Sequence, residues 1–189
     1  MPVPPFSAFE PFLSEDEIQA KVAELGAAIA ADMSDSENVV VVCVLKGAVV
    51  FMADLIRHLP QNVTCDFLRL SSYHGGTRSS GTVRFDFDLT QPIEDKDVLI
   101  VEDIVDTGLT MSFLLEALQA RHPRSIKLCT LLHKPSRQVK EVPLAYVGFT
   151  IPDRFVIGYG LDLEGKYRNM RYIAALPEQT EELLAKVDE

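Results

Sequence analysis

The chain is short of cysteine, of basic residues and of long apolar runs, and each shortage narrows what it can be. Three cysteines occur in 189 residues. Their number is odd and none forms a Cys-x-x-Cys pair, so Cys43, Cys65 and Cys129 are expected as free thiols in a reducing compartment. The four histidines (His58, His74, His122, His133) show no zinc-like spacing with one another or with the cysteines, which argues against a structural zinc site. Lysine and arginine number 18 against 28 acidic residues, a net charge of −10. A nucleic-acid surface needs a basic patch, so this excess argues against nucleic acid as a partner while leaving room for a local basic pocket. The longest apolar run, residues 39–45, falls far short of the roughly 20 residues that span a bilayer. The opening Met-Pro-Val-Pro-Pro-Phe-Ser has no basic segment followed by an apolar core, so no signal peptide is expected. These absences lead to the expectation of a cytoplasmic protein with no membrane partner. Internal repeats, low-complexity tails and interdomain linkers are also lacking.

What is present is ordinary globular material, 47% apolar and 24% charged. A chain of this length suits one domain and buries about 70% of its unfolded surface. Ser14 and Glu17 form a capping-box pattern, and Ile18, Val22, Leu25 and Ile29 recur at helical spacing, so a helix is predicted over residues 15–33. A buried strand (39–45), a helix (49–58) and a second strand (63–70) follow. Residues 71–81 are polar, rich in small side chains and too long for a hairpin turn; loops of that kind are usually functional. Val83, Phe85, Phe87 and Leu89 alternate with polar residues as a half-buried strand. Later strands are predicted over 126–132 and 146–149, with weaker ones over 155–159 and 172–176 and a last helix over 178–187. Strands alternating with helices imply an α/β domain with a mainly parallel sheet flanked by helices.

The most informative stretch is residues 98–111, Val-Leu-Ile-Val-Glu-Asp-Ile-Val-Asp-Thr-Gly-Leu-Thr-Met. Val98 to Val101 read as a buried strand that ends in two carboxylates, Glu102 and Asp103. A turn, Asp106-Thr107-Gly108-Leu109-Thr110, leads into an apolar helical pattern. Ligands of α/β sheets bind where strands end and helices begin, and free N–H groups there favour an anion. Gly108 permits close backbone approach to a phosphate, and Thr107 and Thr110 add hydroxyl donors. Acids beside a phosphate cradle make chemical sense if they face neutral hydroxyls. A ribose carrying a 5-phosphate presents both features.

This stretch closely resembles the phosphoribosyl-diphosphate (PRPP) motif of the phosphoribosyltransferases: a hydrophobic strand, two acids, two apolar residues, then Asp-Thr-Gly-x-Thr. Four further segments resemble those of the hypoxanthine-guanine members. Leu45-Lys46-Gly47 is similar to the loop that meets pyrophosphate, where the Leu–Lys peptide is often cis. Residues 71–81, with Ser72-Tyr73, match the catalytic lid. Lys134 corresponds to the lysine that donates to the 6-oxo group of the purine; an ammonium only donates, so it suits an oxo group and opposes adenine's amino group. Residues 151–162 resemble the base-binding segment, implying that Phe155 stacks on the purine, the Val156 backbone meets its edge and Asp162 holds Mg²⁺. Arg168 would contact pyrophosphate. Leu109 stands where some relatives carry lysine, and Ala48 where others carry a second glycine.

The resemblance implies a type I phosphoribosyltransferase fold in one domain, 1–189, with a core of about 35–150 and a small hood built from the N-terminal segment and about 151–189. It implies PRPP and a 6-oxopurine base as substrates, Mg²⁺ as cofactor and a homodimer or homotetramer. Glu102 and Asp103 would hold the ribose hydroxyls directly or through the metal, and Asp106 would accept the N7 proton. Two alternatives remain at this level. One is a regulator of the same fold that binds RNA and controls pyrimidine genes, which the −10 charge opposes. The other is a transferase preferring xanthine or another base.

Overall fold

The structure, a computed structural model, describes residues 9–59, 63–72 and 83–176. Helix α1 (Glu15–Asp32) starts at the capping box: Glu17 N donates to Ser14 Oγ at 3.3 Å and Ser14 N donates to Glu17 Oε2 at 2.9 Å. Both donors would otherwise be orphaned at the helix start. Ile18, Val22, Leu25 and Ile29 form its buried face, as their spacing predicts. Strand β1 (Val39–Leu45) leads into α2 (Val49–Leu55), whose last predicted turn tightens into a 3-10 turn, Ile56–His58. Then come β2 (Val63–Ser72), β3 (Val83–Phe87), β4 (Asp97–Val105), α3 (Leu109–Gln119), β5 (Ser125–His133), a 3-10 turn at Pro135–Arg137, β6 (Leu144–Thr150), and two short strands, β7 (Val156–Ile157) and β8 (Ala174–Ala175).

Six strands form one sheet in the order β3-β2-β1-β4-β5-β6. Only β3, at an edge, runs antiparallel to its neighbour. Strand β1 is buried on both faces, as befits the interior of a parallel sheet. Val39, Val41 and Cys43 pack toward α1 and α2, while Val40, Val42 and Val44 pack with Met111, Leu114 and Leu118 of α3. The small sheet pairs β7 with β8, and Leu13 bridges to Ile173 beside it.

The chain leaves β1 for β2 on one side, and β4 adds on the other, so the strand order reverses there. The crevice beyond the carboxyl ends of β1 and β4 is therefore where a ligand is expected to bind. Leu45–Gly47 and Glu102–Gly108 both end in it.

The structure corrects several local expectations. Strand β4 does not stop at Val101; it runs through both acids, with Glu102 opposite Thr130 and Val105 opposite His133. Backbone pairing with β5 continues whatever the side chains carry. Phe87 is exposed at the sheet edge, so β3 is less regularly half-buried than its alternation suggests. The predicted strand at 155–159 shrinks to two residues because Gly158, Tyr159 and Gly160 all take positive φ (96°, 49° and 100°) and turn the chain. Tyr73, the rest of the loop at 73–81 and the predicted helix at 178–187 lie outside the described residues.

Candidate active site

A cavity of about 220 Å³ sits at the carboxyl end of β4, lined by Glu102, Asp103, Asp106, Thr107, Gly108 and Thr110 among others. One side of it comes from the start of α3. Gly108 is the N-cap, with φ 79° and no side-chain cap, so first-turn N–H groups remain for an anion. Only glycine fits there: a Cβ would fall 2.0 Å from the Lys140 carbonyl oxygen. Leu109 is exposed and Thr110 half-buried beside the cradle. Asp106 does not cap α3, so a capping role does not account for it.

The opposite wall is acidic. Glu102 is buried, and burial, then the hydrogen bond and negative charge of neighbouring Asp103, push its carboxyl well above the usual carboxylate value. A carboxyl held this way favours a cation or hydroxyl donors beside it. Cys43 lies near this wall, but burial and the charges of Glu102 and Asp103 push its thiol up to about 12. A protonated thiol is a poor nucleophile, which leaves covalent cysteine catalysis without a candidate at this wall.

The β1 loop closes on the acids. The Leu45–Lys46 peptide is cis, and Gly47 lies so near Asp103 that a Cβ would fall 1.5 Å from Asp103 Oδ2. Lys46 itself is exposed. From the other direction, Gly160 packs on the same loop, with a virtual Cβ 2.1 Å from the Gly47 carbonyl oxygen. Arg168 is fixed to that contact: Nη1 donates to Gly160 O at 2.6 Å, and Nη2 meets Asp162 Oδ1 at 2.5 Å. The structure thus brings Gly47, Asp103, Gly160 and Arg168 into one chain of contacts.

Lys134, the expected base-recognition residue, is buried rather than a solvated surface charge. Its backbone N–H donates to Val105 O at 3.0 Å, which hangs it from the end of β4. Its ammonium lies 3.6 Å from Asp153 Oδ1. Phe155 is 40% exposed, while Val156 is buried in β7.

The chain is similar over most of its length to proteins of established activity. The family model for the phosphoribosyl transferase domain matches residues 14–164. The chain belongs to the phosphoribosyltransferase family. It is 48% identical over 169 residues to the hypoxanthine-guanine phosphoribosyltransferase of Mycobacterium avium, covering 87% of this chain and 83% of that protein. To the protein of the same name from Dictyostelium discoideum it is 49% identical over 173 residues, covering 90% and 96%. A solved hypoxanthine phosphoribosyltransferase from Staphylococcus aureus superposes with a TM-score of 0.85 at 45% identity, covering 90% of this chain and 92% of that one. The hypoxanthine phosphoribosyl transferase of Trypanosoma cruzi gives 0.88 at 36% identity, covering 97% and 100%. The fold is that of a type I phosphoribosyltransferase.

Viewed as a phosphoribosyltransferase, the chain gathers most of its expected site residues but not all. Among the described residues no three Asp, Glu, His or Cys side chains cluster as a metal cage, so Asp162 does not join Glu102 and Asp103 in one cluster. Asp162 instead accepts from Arg168 and, at 2.6 Å, from Gly165 N. Ser72 ends β2, and Tyr73 is outside the described residues. Two residues to which the sequence assigned no role also meet expected site residues. Arg137 Nε lies 3.0 Å from Asp106 Oδ1, and Arg137 Nη1 lies 3.5 Å from Asp153 Oδ2. The available signal was spacing: Lys134 and Arg137 are three apart around Pro135, and a 3-10 turn brings residues i and i+3 onto one side.

Proposed function

We infer that this phosphoribosyltransferase is a purine salvage enzyme that converts hypoxanthine and/or guanine plus PRPP to IMP and/or GMP plus pyrophosphate. The observation that carries this reading is the combination, around one crevice, of an uncapped Gly108 helix start, the Glu102–Asp103 pair and a buried Lys134. Neither the RNA-binding regulator nor the xanthine-preferring transferase gains support from the relatives, which are named for hypoxanthine and guanine.

The residue roles proposed follow from chemistry. The Asp106–Thr110 turn takes the 5-phosphate, using N–H groups and the hydroxyls of Thr107 and Thr110, with Leu109 opening the helix. Glu102 and Asp103 accept from the ribose hydroxyls. The C1′–O bond to pyrophosphate breaks as purine N9 bonds to C1′. The N7 proton passes to Asp106, the carboxylate proposed as general base. Lys46, Gly47 and Arg168 receive the departing pyrophosphate. Lys134 donates to the 6-oxo group, Phe155 stacks on the ring and the Val156 backbone meets its edge. Ser72 and Tyr73 belong to a lid that keeps water from the oxocarbenium-like centre.

Magnesium is the proposed cofactor. It favours oxygen donors and is usually held by one or two carboxylates plus substrate phosphates, so Glu102 with Asp103, and Asp162, fit the ion even without a three-acid cage. A carboxylate has four lone-pair sites, which leaves Asp162 capacity beyond its two bonds. When bound, the ion would offset the negative charge of pyrophosphate.

No helix among the described residues is long and apolar enough to cross a membrane, which accords with the cytoplasmic location proposed. A homodimer or homotetramer is the proposed assembly. Phe67 and Phe87, large apolar residues exposed on the neighbouring strands β2 and β3, support it. The proposed division is a single domain, 1–189, with a core of about 35–150 and a hood from the N-terminal segment and about 151–189.

The test is nucleotide formation from PRPP and Mg²⁺ with hypoxanthine, guanine, xanthine, adenine and uracil in parallel, each repeated with a chelator. Product with hypoxanthine or guanine, abolished by the chelator, is expected. A folded protein that binds PRPP but forms no nucleotide with any base would overturn the reading in favour of the regulator.

A further inference from the structure

Asp106, Arg137, Asp153 and Lys134 form a row of alternating charge. One guanidinium touches two carboxylates, with Nε 3.0 Å from Asp106 Oδ1 and Nη1 3.5 Å from Asp153 Oδ2. The other oxygen of Asp153 lies 3.6 Å from Lys134 Nζ. The ends of this row are the two groups assigned above to neighbouring positions on one edge of the purine, N7 and the 6-oxo oxygen. They belong to different loops, and the row connects them.

The backbone reinforces the link. The segment that carries Arg137 is laid along the phosphate turn: Val139 N and Lys140 N both donate to Thr107 O, at 2.9 and 3.0 Å, and Lys134 N donates to Val105 O at 3.0 Å. The Arg137 N–H closes the turn on Lys134 O at 3.2 Å. The segment therefore cannot shift without disturbing the phosphate cradle. Asp106 Oδ1 is buried yet accepts no hydrogen bond of good geometry, so Arg137 meets it as a neighbouring charge.

We propose that Arg137 is a positioning residue for the transfer step, holding Asp106 and, through Asp153, Lys134 at the spacing that N7 and the 6-oxo group require. This rests on the purine-salvage reading above. With Oδ1 held by Arg137, Asp106 has Oδ2 left for the N7 proton. Half-exposed ion pairs of this kind add little to stability, so the consequence belongs in kinetics and not in folding. Lysine cannot substitute fully, because a point charge does not span two carboxylates as a planar fork does.

The experiment uses full-length wild type, Arg137→Gln, Arg137→Lys, Asp153→Asn and the Arg137→Gln/Asp153→Asn double variant, with hypoxanthine and guanine at saturating PRPP and Mg²⁺. Arg137→Gln is expected to lower kcat by about ten- to hundred-fold, the scale of misplacing a reacting group. Its KM for PRPP and its Tm should stay at the wild-type values. Arg137→Lys should recover part of the loss, and the double variant should be little worse than Arg137→Gln, because the residues act as one unit. Wild-type kcat in Arg137→Gln would overturn the proposal. So would losses that add independently, or losses that follow a lowered Tm in both Arg137 variants. Failure of the wild type itself to form nucleotide would overturn the purine-salvage reading and this proposal together, which separates that outcome from an insensitive Arg137.

Discussion

Gly47 and Asp103 stand so close that no side chain fits between them: a Cβ on Gly47 would fall 1.5 Å from Asp103 Oδ2 and 2.5 Å from its carboxyl carbon. The contact joins the loop after β1 to the acids at the end of β4 across the point where strand order reverses. Gly47→Ala must therefore displace the Asp103 carboxylate, the loop, or both. Overpacking of this kind typically costs about 1–3 kcal/mol. The expected outcome is a folded protein with a modestly lower Tm and a kcat/KM for PRPP reduced by about ten-fold or more, since misplaced binding groups act strongly on rate. Steady-state kinetics with varied PRPP, alongside thermal unfolding, checks both parts. Unchanged kcat/KM would mean that Asp103 does not need its present position.

Asp106 is the proposed acceptor of the N7 proton. It does not cap α3, and its Oδ1 lies 3.0 Å from Arg137 Nε as an ion pair. Asparagine keeps the shape and removes the basic oxygen. Asp106→Asn should fold normally and lose about 10²–10⁴ in kcat, the range for removing a general base. Circular dichroism establishes the fold, and single-turnover assays isolate the chemical step. Wild-type turnover in the folded variant would refute the role.

Lys134 is buried, with its ammonium near a single carboxylate oxygen of Asp153. Replacing it with glutamine removes the charge but keeps a donor of reduced strength. A hydrogen bond to a charged group contributes about 1.5–3 kcal/mol, so Lys134→Gln should lower kcat/KM for hypoxanthine by about ten- to hundred-fold. Activity with adenine should rise relative to hypoxanthine, because an amide oxygen can accept from an amino group where an ammonium cannot. Competition assays with the two bases measure that ratio.

The fold was legible wherever burial alone dictates pattern. The run at 39–45 is buried on both faces and carries no polar residue, and α1 begins and ends within one residue of its predicted bounds. Strand β4 was read short because Glu102 and Asp103 look like a terminus in a hydrophobicity pattern, whereas the ladder with β5 depends on backbone groups and runs on to Val105. At the site, residues in contiguous motifs were visible. Arg137 was not, and Asp153, though inside the segment at 151–162, had no role there, because each gains its meaning from a partner distant in sequence, Asp106 and Lys134. The proximity of Gly47 to Asp103 is likewise a product of β1 lying beside β4, which no local pattern records.

Away from the site, Asp97 at the start of β4 should make folding stability depend on acid. Its carboxyl is held below the usual carboxylate range, first by hydrogen bonds from Arg124 and then by one from Ser125, against an opposing effect of burial. Arg124 Nε donates to Oδ1 at 3.0 Å, Arg124 Nη2 meets Oδ2, and Ser125 Oγ donates to Oδ1 at 2.6 Å. The unfolded chain, with an ordinary carboxyl near ~3.9, binds this proton more readily than the folded one. The stabilisation is thus fully present above about pH 4 and is lost as pH falls from there through the lower folded value. Asp97→Asn removes the charge that both donors serve and should cost about 1.5–3 kcal/mol at neutral pH, the scale for hydrogen bonds to a charged group. The gap between variant and wild type should narrow progressively as pH falls below about 4, where the carboxyl of the unfolded wild-type chain takes up its proton first. Urea unfolding at a series of pH values measures this gap. A difference that stays constant from neutral pH down into that acid range would show that the Asp97 charge is not what stabilises the start of β4.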